Sequence, residues 1–152
     1  MTSVLETDLL ADLIQRKRSC LVQIRDIGAR QMELVREGSM TDLLELLATK
    51  QHVLMQLQQL ERQLDRFRGE DPEQRQWRTA EERLRCAGWA AQCETLLAEI
   101  MEQEKHSERD LMRRRDEAAS RLEGAHTAAH ARGAYLARPP IPAGELDLVS
   151  DV

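Results

Sequence analysis

The sequence predicts an all-α protein: an elongated three-helix antiparallel bundle or coiled coil with a long third helix and a disordered C-terminal tail. Leu, Ala, Glu, Gln and Arg dominate a chain that is 41% hydrophobic but only 3% aromatic, which is typical of long helices. Apolar residues recur at alternating steps of three and four in two segments. No proline occurs between Pro72 and Pro139, so a helix can run through most of that interval.

The first helix is expected at about residues 4–37. Ser3 and Glu6 have the spacing of a capping box, and Gly38 suits a left-handed C-terminal cap. Between them runs a heptad seam of core positions: Leu10, Leu13, Lys17, Cys20, Ile24, Ile27, Gln31 and Leu34.

The second helix is expected at about 40–67, with Ser39 as its N-cap and Asp42 three residues later. Its seam consists of Leu43, Leu46, Lys50, Val53, Leu57, Leu60, Leu64 and Phe67. The short connection predicts antiparallel neighbours, with a tight corner between splayed helices as the alternative. Lys50 has two interpretations: its ammonium reaches solvent over a packed stem, or it sets the register or contacts a partner.

The third helix is expected at about 72–132, with Asp71 as N-cap and Pro72 at the first helical position. At 1.5 Å per residue it is on the order of 90 Å long, about twice either earlier helix. Its near half has enough apolar residues to pack on the hairpin: Trp77, Leu84, Cys86, Trp89, Leu96, Leu97, Ile100 and Met101. The segment 102–110 is polar on every face, which predicts a solvent crossing or a hinge.

Beyond that segment a narrow stripe of apolar and small residues resumes. We call it the distal stripe; it consists of Leu111, Arg115, Ala118, Leu122, Ala125 and Ala129. At about 0.8 kcal/mol per buried CH₂ it buries too little area to hold itself folded, but its small residues let another helix approach closely. These six residues are the predicted partner-binding site. Residues 1–136 are expected to form a single helical domain, and 137–152 a flexible Pro-rich acidic tail of open role.

Motifs for catalysis or for a cofactor are not found, so the protein is expected not to be an enzyme and to have no cofactor. The glycines are never clustered into a phosphate loop. His126 and His130 have a spacing that can bind metal, but a solvated helix face is favoured, and no metal site is expected. Arg113 to Arg115 are flanked by acids, which favours a salt-bridged face over a nucleic-acid site, as does the net charge of −5.

The protein is expected to be cytoplasmic, since it has neither a signal-peptide pattern nor an apolar run long enough for membrane insertion. Cys20, Cys86 and Cys93 are expected to be reduced core residues. The latter two lie about 10 Å apart along a helix, beyond the reach of a disulfide.

The stretch from Leu21 to Leu64 resembles the FlgN-type flagellar export chaperones. The resemblance consists of a leucine-rich helix, a break at Gly38-Ser39, and the segment Leu46-Leu47-Ala48-Thr49-Lys50-Gln51 that continues into a long helix. It implies a cytosolic type III export chaperone that binds the terminal helices of hook–filament junction proteins, prevents their premature assembly and delivers them to the export apparatus. Implied partners are helical segments of flagellar hook-associated proteins, with components of the export gate or its ATPase as further candidates.

The resemblance leaves other functions open. The main alternative is a structural homodimeric coiled coil that pairs its distal stripes and has no chaperone activity. A helical-bundle enzyme or metal carrier is the third. A chaperone is expected to be a monomer or a weak homodimer on its own, whereas a structural coiled coil is expected to be a tight dimer.

Overall fold

A computed structural model describes residues 1–137, which form three α-helices joined by short connections. Helix α1 spans Val4–Glu37, α2 spans Met40–Leu64 and α3 spans Ala80–Leu136. Two 3-10 turns, Asp65–Phe67 and Pro72–Gln74, lie between α2 and α3. The predicted all-α fold with a long third helix is confirmed. The tail predicted for 137–152 lies outside the described residues from position 138 onwards.

Hydrogen bonds at both ends fix the limits of α1. The Ser3 hydroxyl accepts from the Glu6 backbone N–H at 3.3 Å, and the Glu6 carboxylate accepts from the Ser3 N–H at 2.7 Å, which is the predicted capping box. The bond from the Ser3 backbone is the main reason that the pKa of Glu6 lies below its ordinary value. At the other end Gly38 has a φ of 73°, in the left-handed region, as predicted for a C-terminal cap.

The joint between α1 and α2 is tight. The Ser39 N–H donates to the Leu34 carbonyl at 3.2 Å and closes the end of α1. Ser39 precedes the first helical residue as predicted, but its hydroxyl donates to the Asp42 carboxylate at 2.8 Å instead of capping a backbone N–H. The two helices are antiparallel neighbours, since residues near the start of α1 meet residues near the end of α2, as in the ion pair of Glu6 with Arg66.

The third helix begins at Ala80, so the predicted start at Pro72 is wrong. Asp71 does cap the chain there, but the turn it caps is the short 3-10 turn Pro72–Gln74. Five non-helical residues follow before α3. The Thr79 hydroxyl then accepts from the Glu82 N–H at 3.1 Å and caps the true start of the helix.

The cause of this late start is a set of bonds between the connecting segment and the start of α1. The Gln76 N–H donates to the Thr2 carbonyl at 3.0 Å, and the Thr7 hydroxyl donates to the Gln76 carbonyl at 2.6 Å. Arg78 donates to both carboxylate oxygens of Asp8, at 3.1 and 2.8 Å. Because the backbone of Gln76 is bound to residues about seventy positions away, it is not available for helical hydrogen bonds.

The core lies where the two predicted seams face each other. We call the seam of α2 that contains Lys50 the inner seam. Every position of both seams is buried or half-buried. Apart from Leu34, the buried members of the two seams form one cluster, which includes Phe67: Leu10, Leu13, Cys20, Ile24, Val53, Leu60 and Leu64. The predicted pairing of seams is therefore confirmed.

The near half of α3 packs on α1 through a narrow face. Leu21 of α1, Cys93 and Leu96 form a second buried cluster. Leu84, Leu97 and Met101, which were expected to pack on the hairpin, are exposed. Leu84 is nine residues before Cys93, and at about 100° per residue this places it on the opposite side of the helix.

The polar segment 102–110 does not cross solvent throughout, because its first residues contact the hairpin. Gln103 Nε2 donates to the Arg25 carbonyl at 3.1 Å, and Glu104 pairs with Lys50. The Gln103 amide lies over Gly28, where a Cβ would come within 2.6 Å of its Oε1. A glycine is thus what permits the close approach at this point.

By its internal contacts the chain divides into two units, Met1–Glu108 and Arg109–Val152. The expected single domain over residues 1–136 stays a prediction. The boundary falls inside the polar segment, and none of the described residues after Glu108 is buried.

Candidate binding surfaces

The six residues of the distal stripe are all exposed. Leu111 has 51% of its surface accessible and Leu122 has 72%. Their spacing of four, three, four, three and four places all six within one face of α3, about 80° wide. The structure therefore aligns the predicted site residues on one accessible helix face.

Ion pairs on the same helix neutralise the arginines near the start of the stripe. Arg113 and Arg114 both donate to the Asp110 carboxylate, at 2.6 and 2.9 Å, and the hydrogen bond from Arg114 is the main cause of a lowered pKa at Asp110. Arg115, the charged member of the stripe, lies 3.6 Å from the Asp116 carboxylate. The predicted salt-bridged helix face is confirmed.

The histidines His126 and His130 are exposed. Within residues 1–137, no group of three or more His, Cys, Asp or Glu side chains is arranged to hold a metal ion. The expectation of no metal site stays a prediction.

Two lysines form polar layers inside the first unit. Lys17 Nζ lies 2.6 Å from Glu61 Oε1 and so joins α1 to α2. Lys50 Nζ donates to Gln31 Oε1 at 3.3 Å and to Glu104 Oε1 at 2.8 Å, and so joins α2 to both other helices. Only 14% of the Lys50 side chain is accessible. The Lys50 stem is thus packed, as the first interpretation has it, and its ammonium pairs with Glu104, whose side chain is 58% accessible. A role of Lys50 in setting the register stays a prediction.

The three cysteines are buried, as predicted, and none of them is in a disulfide. Their reduced state stays a prediction. Burial raises the pKa of all three thiols, Cys20, Cys86 and Cys93. Cys20 belongs to the first core cluster and Cys93 to the second, and Cys86 is buried in α3.

An open groove lies between α1 and α2 and is lined largely by amides. Its lining residues are Gln15, Arg16, Ser19, Cys20, Gln56, Gln59, Leu60 and Gln63. Arg16, the charged group among them, is paired with Asp12 at 3.0 Å. This lining offers hydrogen bonds but brings no pair of carboxylates together for acid–base chemistry.

The structure has a second exposed row on α2, with four apolar members out of six, that was not predicted from the sequence. Its residues have heptad spacing and lie one position after those of the inner seam. All of them are accessible. We call it the outer seam; it consists of Met40, Leu44, Leu47, Gln51, Leu54 and Gln58. The adjacent leucines Leu43-Leu44 and Leu46-Leu47 were the available signal, because neighbouring residues on a helix point about 100° apart and cannot share one seam.

The outer seam is also free of charge. Between Glu45 and Glu61 the sequence has one residue charged at neutral pH, Lys50, whereas 32% of the whole chain is charged. Lys50 lies outside the row, and its ammonium pairs with Glu104 of α3. A surface that combines apolar residues with depletion of charge has the composition of an interface core.

None of the helices within residues 1–137 combines the length and the hydropathy that a membrane span requires. Comparisons with protein-family models, with curated proteins and with solved structures find no match to the chain. The resemblance to FlgN-type export chaperones accordingly stays a prediction.

Proposed function

We propose that this protein is a chaperone that takes up an amphipathic helix of a partner protein on its distal stripe. The observation that carries the proposal is the exposure of every described residue from Arg115 to Ala137, although the segment is helical as far as Leu136. Most helices in proteins are stabilised by packing of an apolar face rather than by propensity alone. A helix that keeps its apolar stripe accessible is suited to receive that packing from another molecule.

The chemistry of the stripe fits a helical ligand. Leu111 and Leu122 supply apolar anchors about three turns apart, and the alanines between and after them allow the two backbones to approach closely. The nearby arginines are paired within the helix, so they do not make the face strongly basic. The expected ligand is therefore an apolar helix face rather than a nucleic acid.

The resemblance to FlgN-type chaperones names the class of partner that we propose: the terminal helices of hook–filament junction proteins. Binding would cover the apolar faces of these helices and prevent premature assembly until delivery to the type III export apparatus. Components of the export gate or its ATPase are the proposed second partners.

The proposal is tested with the double variant Leu111→Asp/Leu122→Asp and a synthetic terminal helix of a hook–filament junction protein as the probe. We expect isothermal titration calorimetry to show complete loss of binding, while the melting temperature stays within about 2 °C, because surface substitutions change stability by about 0.5 kcal/mol or less.

Met112→Asp is the matched control. Met112 is 48% accessible, close to the value for Leu111, but it points about 100° away from it. It should leave binding within about threefold of the parent, a change below 1 kcal/mol. Equal loss of binding in both variants would contradict a stripe-specific site, and a large fall in melting temperature in the double variant would show that the stripe is part of the core.

A structural homodimeric coiled coil is the second candidate, because the heptad spacing of the distal stripe also fits a second copy of itself. In that case the parent should be a tight dimer at low micromolar concentration, and Leu111→Asp/Leu122→Asp should be a monomer. Sedimentation equilibrium of the two proteins without any ligand separates this candidate from the chaperone.

A further inference from the structure

We propose that the outer seam of α2 is a homodimer interface, in which the α2 helices of two copies of the chain pair antiparallel around a two-fold axis near Thr49. This surface lies within the first unit and is separate from the distal stripe. The inference does not depend on the proposed chaperone function.

Exposure of large apolar side chains is the first observation that supports an interface. Leu44 is 63% accessible and Leu54 is 38% accessible. The two leucines are separated by almost three helical turns, and Leu47 lies between them on the same face. From Met40 to Gln58 the row extends for about 28 Å along the helix. The four apolar members, from Met40 to Leu54, lie on one face over about 21 Å, with Gln51 among them, and so form an aligned row rather than scattered surface leucines.

The identity of the second molecule follows from the symmetry of the row. An antiparallel pair with its axis near Thr49 places residue i of one chain opposite residue 98 − i of the other. Under this rule Met40 faces Gln58, Leu44 faces Leu54 and Leu47 faces Gln51, so every member of the outer seam meets another member. A surface that is complementary to itself in this way has the isologous form of a two-fold dimer.

Residues beside the row agree with the same geometry. Thr41 and Ala48 follow seam residues and are small, so the helices can approach closely. Met55, which is also exposed, would lie opposite Leu43, a half-buried residue of the inner seam. The pairs Leu44–Leu54 and Leu43–Met55 thus place apolar side chains against apolar side chains of the copy, and the glutamines face Met40 and Leu47.

The absence of charge on this face favours a second copy over an unrelated partner. Two identical faces with a net charge of one sign would repel each other, whereas neutral faces rich in leucine and glutamine can pair without like-charge repulsion. Antiparallel pairing also places the N-terminus of each α2 helix beside the C-terminus of the other, so the two helix dipoles oppose each other favourably.

An interface made by one helix from each chain is small, so the dimer is expected to be weak, with a dissociation constant in the micromolar range.

Sedimentation equilibrium from about 5 to about 500 µM, a range that covers weak association, tests the proposal on the full chain. We expect a monomer–dimer equilibrium in the parent. Leu44→Glu and Leu54→Lys should each raise the dissociation constant by at least about a hundredfold, because the two-fold axis places each new charge twice against an apolar partner.

Mixing the two variants tests the antiparallel register. In the mixed dimer the introduced glutamate of one chain lies opposite the introduced lysine of the other, while Leu54 of the first lies opposite Leu44 of the second. Association should therefore return in the mixture to within about tenfold of the parent, although neither variant associates alone. A parallel pair would place each charge opposite a leucine, so failure of the mixture to associate would overturn the proposal.

Two controls complete the experiment. Leu84→Glu changes an exposed leucine of the first unit outside this row and should leave the equilibrium unchanged. Leu122→Glu should also leave it unchanged; dissociation by this variant would assign the dimer to the distal stripe. A parent that stays monomeric at 500 µM overturns the proposal. If this monomer binds the helical probe and its Leu44→Glu variant does not, the outer seam binds a partner protein instead of a second copy.

Discussion

Lys17 and Lys50 occupy seam positions at which a leucine would pack, and each is accommodated by a carboxylate of another helix. The cost of desolvating an ammonium is offset only if a charged or polar partner replaces the lost water. For Lys50 the replacement comes from Gln31 and Glu104 together, and for Lys17 it comes from Glu61. These layers fix how the helices are aligned, because a shift of one turn would separate each pair.

The Lys17–Glu61 pair should respond unequally to removal of its two members. Glu61 keeps a second partner, Arg68, when Lys17 is replaced. Among residues 1–137, Glu61 is the only carboxylate within 4 Å of the Lys17 ammonium, which is 19% accessible. We expect Lys17→Met to change the free energy of unfolding by less than about 1 kcal/mol, and Glu61→Leu to lower it by about 1–3 kcal/mol.

Urea denaturation of both variants and of the double variant Lys17→Met/Glu61→Leu measures this asymmetry. The double variant should regain most of the stability lost in Glu61→Leu, because no unpaired ammonium remains. Arg68→Ala removes the second ion pair of Glu61. It should change the free energy of unfolding only slightly, since the Arg68 side chain is exposed. Greater destabilisation by Lys17→Met than by Glu61→Leu would contradict this account.

Asp110 provides a test by pH. Hydrogen bonds from Arg114 and, second, Arg113 lower its pKa below the ordinary value of 3.8. A group with a lowered folded-state pKa contributes stability above its unfolded pKa, and the contribution is lost as the pH falls through the folded value. We therefore expect helicity around Asp110 to decrease only below about pH 3.8.

Carboxyl NMR titration checks this directly. Arg114→Gln should raise the pKa of Asp110 toward its ordinary value, and by more than Arg113→Gln does, because the bond from Arg114 is the larger cause. Arg121→Gln is the control, since Arg121 pairs with Glu117 instead. An unchanged titration midpoint in Arg114→Gln would show that the hydrogen bond does not form in solution.

At the scale of the helices, the ends of α1, which local caps determine, could be predicted from the sequence. The start of α3, which distant residues determine, could not. The capping box at Ser3 and the left-handed Gly38 involve residues within a few positions of each other. The start of α3 depends instead on Thr2 and Thr7, which bind Gln76 from far away in the sequence. Asp71-Pro72 was a valid local start signal, but these tertiary bonds confine its effect to one turn.

The same difference between local patterns and distant contacts applies to the candidate surfaces. The distal stripe could be predicted because its heptad spacing occurs in a segment with few other apolar residues. The outer seam was not predicted, because the inner seam already satisfies the heptad pattern of α2. Which of two adjacent rows is buried depends on where α1 and α3 pack, and spacing within α2 does not contain that information.

Two glycines should respond in opposite directions to the same substitution. Gly38 ends α1 with a φ of 73°, so Gly38→Ala should lower the free energy of unfolding by about 1 kcal/mol. Gly88 lies inside α3 with open space around the position of a Cβ, so Gly88→Ala should raise it by about 0.5–1 kcal/mol. Thermal unfolding followed by circular dichroism gives the sign of both effects. A stabilising Gly38→Ala would mean that the joint does not need its left-handed residue.

At the scale of the whole molecule, the core of the first unit depends on one residue from each helix. Ile14 of α1, Leu57 of α2 and Ile100 of α3 pack against both buried clusters. Each is only half-buried, yet each contacts apolar residues from more than one helix. Loss of one of these contacts should therefore weaken both clusters together, and the first unit should unfold in a single cooperative step.

Leu57→Asp is the sharpest test of this arrangement. A carboxylate between the two clusters would lack a positive partner in the surrounding leucines and isoleucines, at a cost of several kcal/mol. Since small domains are stable by only about 5–15 kcal/mol, we expect this variant to be largely unfolded at 25 °C. Fluorescence of Trp77 and Trp89, both half-buried in the first unit, would report the change. Leu84→Asp, at an exposed leucine of the same unit, should melt like the parent; if Leu57→Asp did so too, the two clusters could not be joined through Leu57.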